Sequence, residues 1–187
     1  ETYDISEDGK TYTFHLRDAK WSNGDAVTAA DFVFGWQRAV DPATASEYSY
    51  MLSDIGQVVN AAEIIAGEKP VTDLGVSAVD DKTLEVQLNV PVSYFLSLMY
   101  FPTFYPVNEA FYNSCADTFG TSPDTVLSNG AFKLTDYQPA ATAFTLEKNP
   151  DYYDADKIAL DSLAYQVIKD SQQALMSYQT GALDMTL

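Results

Sequence analysis

Residues 9–34 read GKTYTFHLRDAKWSNGDAVTAADFVF, and this stretch decides the fold of the amino-terminal part of the chain. At its start, Tyr12, Phe14 and Leu16 alternate with polar residues. An alternation with a period of two places the apolar side chains on one face of an extended backbone. The stretch therefore predicts a half-buried β-strand.

A turn and a helix follow this strand. Ser-Asn-Gly-Asp at residues 22–25 predicts the turn, because Gly24 adopts a positive φ without steric cost. Thr28, followed three residues later by Asp31, is a variant capping box and predicts a helix of about 12 residues. Trp36 lies on the apolar stripe of that helix, and a proline soon after the stripe predicts the end of the helix.

The rest of the chain alternates between short strands and short helices. A β-hairpin is predicted over residues 76–88, and two alternating strands lie within residues 131–148. The character of the sequence changes near Val107. We therefore expect an α+β lobe at residues 1–107 and an incomplete α/β piece at residues 108–187.

The carboxyl end of the chain predicts a strand–helix–strand unit. An alternating strand at residues 163–167 precedes a helix that Ser171 is expected to cap, and a last strand carries Leu183, Met185 and Leu187. Such a unit implies a right-handed crossover and therefore parallel pairing in the sheet. Because the chain stops within this strand and starts without methionine, we expect it to be an excised piece of a longer protein. Its unpaired strand edges predict self-association of the fragment in a crystal.

Composition excludes several classes of protein. The chain has 187 residues, a formal net charge of −17, 13 Tyr, 10 Phe and 2 Trp. Acidic disordered chains are poor in aromatic residues, so a folded protein is expected. The scarcity of Lys and Arg argues against nucleic acid as a partner. The longest apolar runs fall well short of the roughly 20 residues that span a bilayer.

The side chains that could take part in catalysis or metal binding do not form a recognisable reactive centre. We therefore expect no catalytic residue, no metal and no cofactor. His15 lies on the polar face of a predicted strand without a nucleophile motif nearby. Cys115 is expected to be a small core residue. Asp151, Asp154 and Asp156 offer oxygen ligands for calcium, but they lack the spacing of an EF-hand and predict a solvated loop. A pair of glycosidase carboxylates drawn from distant positions stays open as an alternative.

Tyr48 is the one residue that we single out as a candidate ligand contact. It lies in the polar loop of residues 44–50, which lacks the apolar periodicity that would bury its ring. A loop tyrosine offers a flat apolar face and a hydroxyl group that bonds the main chain of a ligand. Plain surface packing is the alternative interpretation.

Stretches along essentially the whole chain resemble one protein family. Besides residues 9–34, the matching stretches are WQR at 36–38, DP at 41–42, TAS at 44–46, IIAGEKP at 64–70, TDLGV at 72–76, AVDDKTLEV at 78–86, PV at 91–92, NGA at 129–131, LEKNP at 146–150 and GALDMT at 181–186. In this order they resemble the extracytoplasmic peptide-binding proteins of ABC importers, solute-binding family 5, and the oligopeptide-binding branch in particular.

The resemblance implies a periplasmic-binding-protein-like fold of type II (cluster C), with mixed sheets and packed helices. Such proteins are two-lobed clamps that hold an extended oligopeptide by main-chain pairing, and the closed form docks on the ABC permease. Residues 1–107 resemble the inserted domain, and residues 108–187 resemble part of the first ligand-binding lobe. A dipeptide, a nickel chelate, haem or an oligosaccharide are alternative ligands within the family. A glycan-binding or glycan-hydrolysing module is the alternative from another class.

The resemblance also implies a role for Tyr48 and a cellular location for the protein. By position, Tyr48 matches a tyrosine that contacts the bound peptide in the oligopeptide branch. Glu47 departs from the pattern, because a proline is expected before that tyrosine. The implied location is extracytoplasmic, either periplasmic or as a cell-surface lipoprotein.

Overall fold

The computed structural model describes residues 2–186 of the chain. These residues form two compact units, which we call unit 1 and unit 2. Unit 1 comprises residues 2–20 and 24–116, and unit 2 comprises residues 21–23 and 117–186. Each unit contains its own sheet.

Unit 1 is built on a four-stranded antiparallel sheet. Its strands are β1 (Thr2–Ile5), β2 (Thr11–His15), β3 (Val76–Asp80) and β4 (Thr83–Gln87). They lie in the order β1-β2-β4-β3, and every neighbouring pair is antiparallel. The predicted strand at the start of the deciding stretch is confirmed as β2, and the predicted hairpin is confirmed as β3 and β4.

Helix α1 (Ala29–Val40) packs on this sheet and begins where the capping box predicts. The backbone N–H of Thr28 donates to Asp31 Oδ2 at 2.8 Å, which satisfies an amide at the helix start. Trp36 is fully buried, and its Nε1 donates to the Phe104 carbonyl at 2.9 Å. The helix is therefore fixed both at its start and along its apolar face.

The other helices of unit 1 are short. They are α2 (Ala61–Ile65), α3 (Phe95–Leu98) and α4 (Glu109–Cys115), with a π-helical turn at Met51–Ile55. In the part of the chain that the structure describes, no helix combines the length and the apolar character needed to cross a bilayer.

Unit 1 continues past the predicted break near Val107, because α4 packs against α1. The rings of Phe34 and Tyr112 lie 5.5 Å apart, and the Arg38 guanidinium lies 4.7 Å from the centre of the Tyr112 ring. The boundary between the compact units therefore follows Ala116. The assignment of residues to an inserted domain and a ligand-binding lobe stays a prediction.

The hydrophobic core lies between the unit 1 sheet, α1 and the segments around α2 and α3. It includes Leu52, Ile64, Val86 and Phe95, each of which is fully buried. Tyr12 reaches into this core from β2, and its hydroxyl donates to the Val92 carbonyl at 3.1 Å. Burial raises the pKa of Tyr12 because the phenolate is harder to solvate than the phenol.

Unit 2 is a smaller antiparallel sheet followed by a helix. The strands β5 (Phe132–Asp136), β6 (Ala143–Lys148) and β7 (Ser162–Gln166) lie in this order, and α5 (Ser171–Gln179) follows. The two alternating strands predicted within residues 131–148 are confirmed as β5 and β6. The side-chain amide of Asn149 is buried, where it donates to the Gly130 carbonyl at 2.9 Å and accepts from the Asp151 amide at 3.1 Å.

The predicted parallel pairing at the carboxyl end is not found within residues 2–186. Every strand pair described in unit 2 is antiparallel, and residues 182–186 form no strand. The backbone amides of Ala182 and Leu183 donate instead to the Ser177 carbonyl, so they close the turn that ends α5. Leu187, the last residue of the predicted strand, lies outside the described residues.

Candidate functional site

The loop after α1 is held by its own backbone bonds. The Asp41 amide donates to the Gln37 carbonyl at 3.0 Å, and Asp41 Oδ1 accepts from the Ala43 amide at 2.8 Å. Ala45 adopts a positive φ of 50°, a conformation that few non-glycine residues take. The loop is therefore an ordered turn, although most of its side chains are exposed.

Tyr48 has a fixed backbone and a half-exposed ring. Its amide donates to Ser46 Oγ at 3.4 Å, and its carbonyl accepts from the Met51 amide at 3.0 Å. The residue retains 49% exposure. A ring on an anchored backbone loses little conformational entropy when it binds a ligand, so this geometry suits a contact residue.

Two further aromatic residues surround Tyr48. The Phe101 ring centre lies 5.2 Å from that of Tyr48, and the Tyr50 ring centre lies 6.2 Å from it. Tyr50 is 43% exposed, whereas Phe101 is partly buried against the hydrophobic core. We call these three residues the aromatic patch. Phe101 supports one side of Tyr48, while Tyr50 widens the exposed aromatic surface.

Sequence reasoning missed two members of the aromatic patch. Tyr50 belongs to the same loop as Tyr48. Like Tyr48, it is not part of an apolar alternation that would bury it, and this feature of the sequence could have indicated an exposed ring. Phe101 is distant in sequence and precedes a proline, and only the tertiary fold brings it to Tyr48.

Unit 1 also contains an open cleft of about 590 Å³ that the sequence did not indicate. Its lining is mostly aromatic and aliphatic, and it includes no charged residue. Representative lining residues are Tyr3, Phe14, Phe32, Trp36, Leu84 and Tyr105. The volume falls within the range of small-molecule pockets, roughly 300–1,000 Å³. The lining favours uncharged, apolar groups.

The contacts of His15 and Cys115 are typical of residues with a structural role. His15 Nε2 lies 2.9 Å from Asp4 Oδ2 on the neighbouring strand, and both side chains are exposed. Cys115 is half-buried, and its Sγ donates to the Phe111 carbonyl at 3.3 Å. The contacts described here give neither residue the arrangement of a nucleophile with a general base.

Asp154 and Asp80 each form a contact with a residue nearby in the chain. Asp154 forms an ion pair with Lys157 at 2.9 Å, and that carboxylate raises the pKa of Lys157. In the β3–β4 turn, the Lys82 amide donates to Asp80 Oδ1 at 2.8 Å and lowers the pKa of Asp80. Over residues 2–186, no group of three or more His, Cys, Asp and Glu side chains has an arrangement suited to a metal ion.

Comparison with known proteins identifies the family. The family described as bacterial extracellular solute-binding proteins, family 5 Middle, matches residues 1–187. The chain belongs to this family. The fold expectation is confirmed by solved structures such as Listeria monocytogenes OppA bound to peptide, with a TM-score of 0.91 and 44% identity. That match covers 98% of this chain and 36% of the other.

Curated relatives are similar over the same range. The periplasmic oligopeptide-binding protein OppA of Salmonella typhimurium is 43% identical, over 97% of this chain and 33% of the relative. The probable deoxycholate-binding periplasmic protein YgiS of Escherichia coli is 41% identical, over 100% of this chain and 34% of the relative. The chain thus spans about a third of the length of the curated relatives it matches.

Proposed function

We propose that this chain is part of an extracytoplasmic receptor that captures oligopeptides and delivers them to an ABC importer. Family membership supports the solute-binding role, and the name of the Salmonella typhimurium relative supports an oligopeptide as the solute. The peptide-bound structure of Listeria monocytogenes OppA, 44% identical to this chain, supports the same ligand class. The location is periplasmic or, for a lipoprotein, the cell surface.

The proposed mechanism is recognition of the peptide main chain in an extended form. Backbone hydrogen bonds do not depend on side-chain identity, so this mode tolerates many peptide sequences. Residues 1–107 correspond in this proposal to the inserted domain and residues 108–187 to part of the first ligand-binding lobe. The receptor requires no catalytic residue and no cofactor, because binding and release are its entire chemistry.

Tyr48 is the proposed ligand contact in this part of the receptor. The single observation that carries this assignment is its half-exposed ring on a backbone anchored at both its amide and its carbonyl. In this proposal its phenol hydroxyl exchanges a hydrogen bond with the main chain of a peptide, and its ring covers apolar atoms of the ligand.

Calorimetric titration of the full-length protein with a mixed pool of di- to hexapeptides tests the proposal. We expect the wild type to bind, and Tyr48→Ala to weaken binding by about 1–2 kcal/mol, which is about five- to thirtyfold in Kd. Tyr94→Ala is the matched control, because Tyr94 is 50% exposed and lies outside both the aromatic patch and the lining of the cleft. Absence of binding by the wild type to any pool would exclude the oligopeptide function. Equal losses in the two variants would exclude the role of Tyr48.

A non-peptide solute is the second candidate. The uncharged cleft of unit 1 and the 41% identity to a relative named as probably deoxycholate-binding favour an apolar or amphipathic molecule. Deoxycholate, a nickel chelate, haem and oligosaccharides therefore belong in the same titration, whereas dipeptides are already part of the peptide pool. Binding of one of these with no peptide binding would favour this candidate. A glycan array covers the glycan-binding alternative, and glycan hydrolysis there would overturn the non-enzymatic assignment.

A further inference from the structure

Glu47 is a charged residue next to the aromatic patch. It directly precedes Tyr48 in the ordered loop, and it is exposed. The ion pairs formed within residues 2–186 do not include it. Its carboxylate is therefore available to a ligand that reaches Tyr48.

The two sequence segments that form the aromatic patch carry no positive charge of their own. Residues 39–68, which contain Tyr48 and Tyr50, include no Lys or Arg but several acidic residues. Residues 83–132, which contain Phe101, include no Lys or Arg either. The aromatic patch is thus formed by two segments whose only formal charges are negative.

Distance also favours an electrostatic effect at the patch. Consecutive Cα atoms are about 3.8 Å apart, so the Glu47 side chain stays within roughly a Debye length, about 8 Å, of the Tyr48 backbone. A negative charge at this distance from the Tyr48 backbone favours a cationic group on a ligand that contacts the loop. The faces of tyrosine rings add to the attraction, because they carry partial negative charge and bind ammonium and guanidinium groups.

We propose that Glu47, Tyr48 and Tyr50 form a subsite for a basic side chain, arginine or lysine, of the bound peptide. This inference rests on the proposed function and adds a preference to it. Tyr48 and Tyr50 provide the aromatic faces, Glu47 provides the counter-charge, and Phe101 holds the Tyr48 ring from its buried side. A peptide that places an acidic side chain here is disfavoured by the same charge.

Matched peptides isolate the charge from the shape of the side chain. Alanine pentapeptides carrying a single arginine, scanned over all positions, are compared with peptides that carry citrulline, the uncharged isostere of arginine. We expect the full-length wild type to bind the arginine peptide about fivefold more tightly at one position or more. The preference is expected to shrink in 0.5 M salt, since screening is then much stronger.

Two variants assign the preference to the subsite. We expect Glu47→Gln to lower the arginine-to-citrulline affinity ratio at least twofold, and Tyr50→Ala to lower it as well. Glu68→Gln is the control, because it removes one negative charge from another exposed turn of unit 1. Circular dichroism melting curves establish that each variant is folded.

The outcomes separate this inference from the proposed function. If the wild type binds the alanine peptides but shows no arginine preference at any position, the subsite is excluded while the receptor function stands. The subsite is also excluded if Glu47→Gln and Glu68→Gln change the affinity ratio equally. If the wild type binds no peptide at all, the proposed function itself fails, and the subsite fails with it.

Discussion

Unit 1 and unit 2 are both antiparallel sheets with helices, but they differ sharply in what they bury. Unit 1 has a continuous core in which Trp36 and Phe95 are fully buried. In residues 117–186 of unit 2, the only buried residue is the polar Asn149. Aromatic and aliphatic side chains on unit 2, such as Tyr165 and Val167, remain substantially exposed.

This difference indicates two sources of stability within one chain. Burial of apolar surface contributes about 25 cal/mol per Å², and in unit 1 this contribution is concentrated in the core. In the described part of unit 2, the stabilising contacts include strand pairing and the hydrogen bonds of a polar corner at Asn149. Substitutions of the same chemical type are therefore expected to have different costs in the two units.

The largest expected effect is the loss of the central indole of unit 1. Trp36→Ala removes a fully buried ring that packs edge-on against Phe104 at 5.2 Å, and it leaves the Phe104 carbonyl without its donor. We expect the free energy of unfolding to fall by about 3–5 kcal/mol, as measured by urea unfolding followed by circular dichroism. Tyr165→Ala, which removes a 39% exposed ring stacked on Phe144 in unit 2, is expected to cost about 1 kcal/mol. Equal costs would contradict the expectation that burial contributes more to stability in unit 1 than in unit 2.

The next effect concerns the polar corner of unit 2. Asn149→Ala leaves the Gly130 carbonyl and the Asp151 amide without their side-chain partner, and we expect a loss of about 2 kcal/mol. Hydrogen exchange followed by mass spectrometry is expected to show faster exchange across β5 and β6, with the protection of the unit 1 sheet unchanged. Gln138→Ala is a control, because Gln138 is exposed in the same unit. Uniform loss of protection in both units would contradict separate sources of stability.

Structural features that depend on residues close in the chain were predictable from the sequence, whereas contacts between distant segments were not. The capping box of Thr28 and Asp31 and the hairpin of β3 and β4 depend on residues close in the chain, and both are confirmed. The contact of Tyr48 with Phe101 depends on how distant segments pack, so only part of the candidate site was accessible. The parallel strand expected after α5 was wrong for residues 182–186, because an apolar alternation does not reveal that the backbone is used to end a helix.

A glycine in each unit sharpens the comparison at smaller cost. Gly35 lies within α1, and a Cβ there would approach the Tyr105 carbonyl oxygen at 2.8 Å and the Val107 nitrogen at 3.3 Å. In an open helix, Gly→Ala stabilises by roughly 1 kcal/mol, but here the clash with backbone atoms reverses the sign. We expect Gly35→Ala to lower the free energy of unfolding by about 1–2 kcal/mol.

The matched change in unit 2 is Gly130→Ala. A Cβ at Gly130 would have no heavy atom within 4 Å, so this variant is expected to stay within about 0.5 kcal/mol of wild type. Urea unfolding of both variants measures the difference. A stabilised Gly35→Ala protein would mean that the segment at Tyr105 and Val107 moves away from α1 without cost.

The smallest expected effect is an acid sensitivity that belongs to unit 1. Hydrogen bonds from the Ser6 hydroxyl and the Lys10 amide lower the pKa of Asp8, and the Lys82 amide does so for Asp80. A carboxyl group whose pKa is lower in the folded state stabilises the fold above the unfolded value, here 3.8, and this stabilisation is lost as the pH falls through the folded pKa. Both carboxylates are fully exposed, so the change in stability is small.

We expect Asp80→Asn to reduce the fall of the melting temperature below about pH 4. Asp161→Asn is the control, because Asp161 is an exposed carboxylate of unit 2. We expect it to leave the fall of the melting temperature as it is in the wild type. A smaller fall in both variants would refute a contribution specific to the β3–β4 turn.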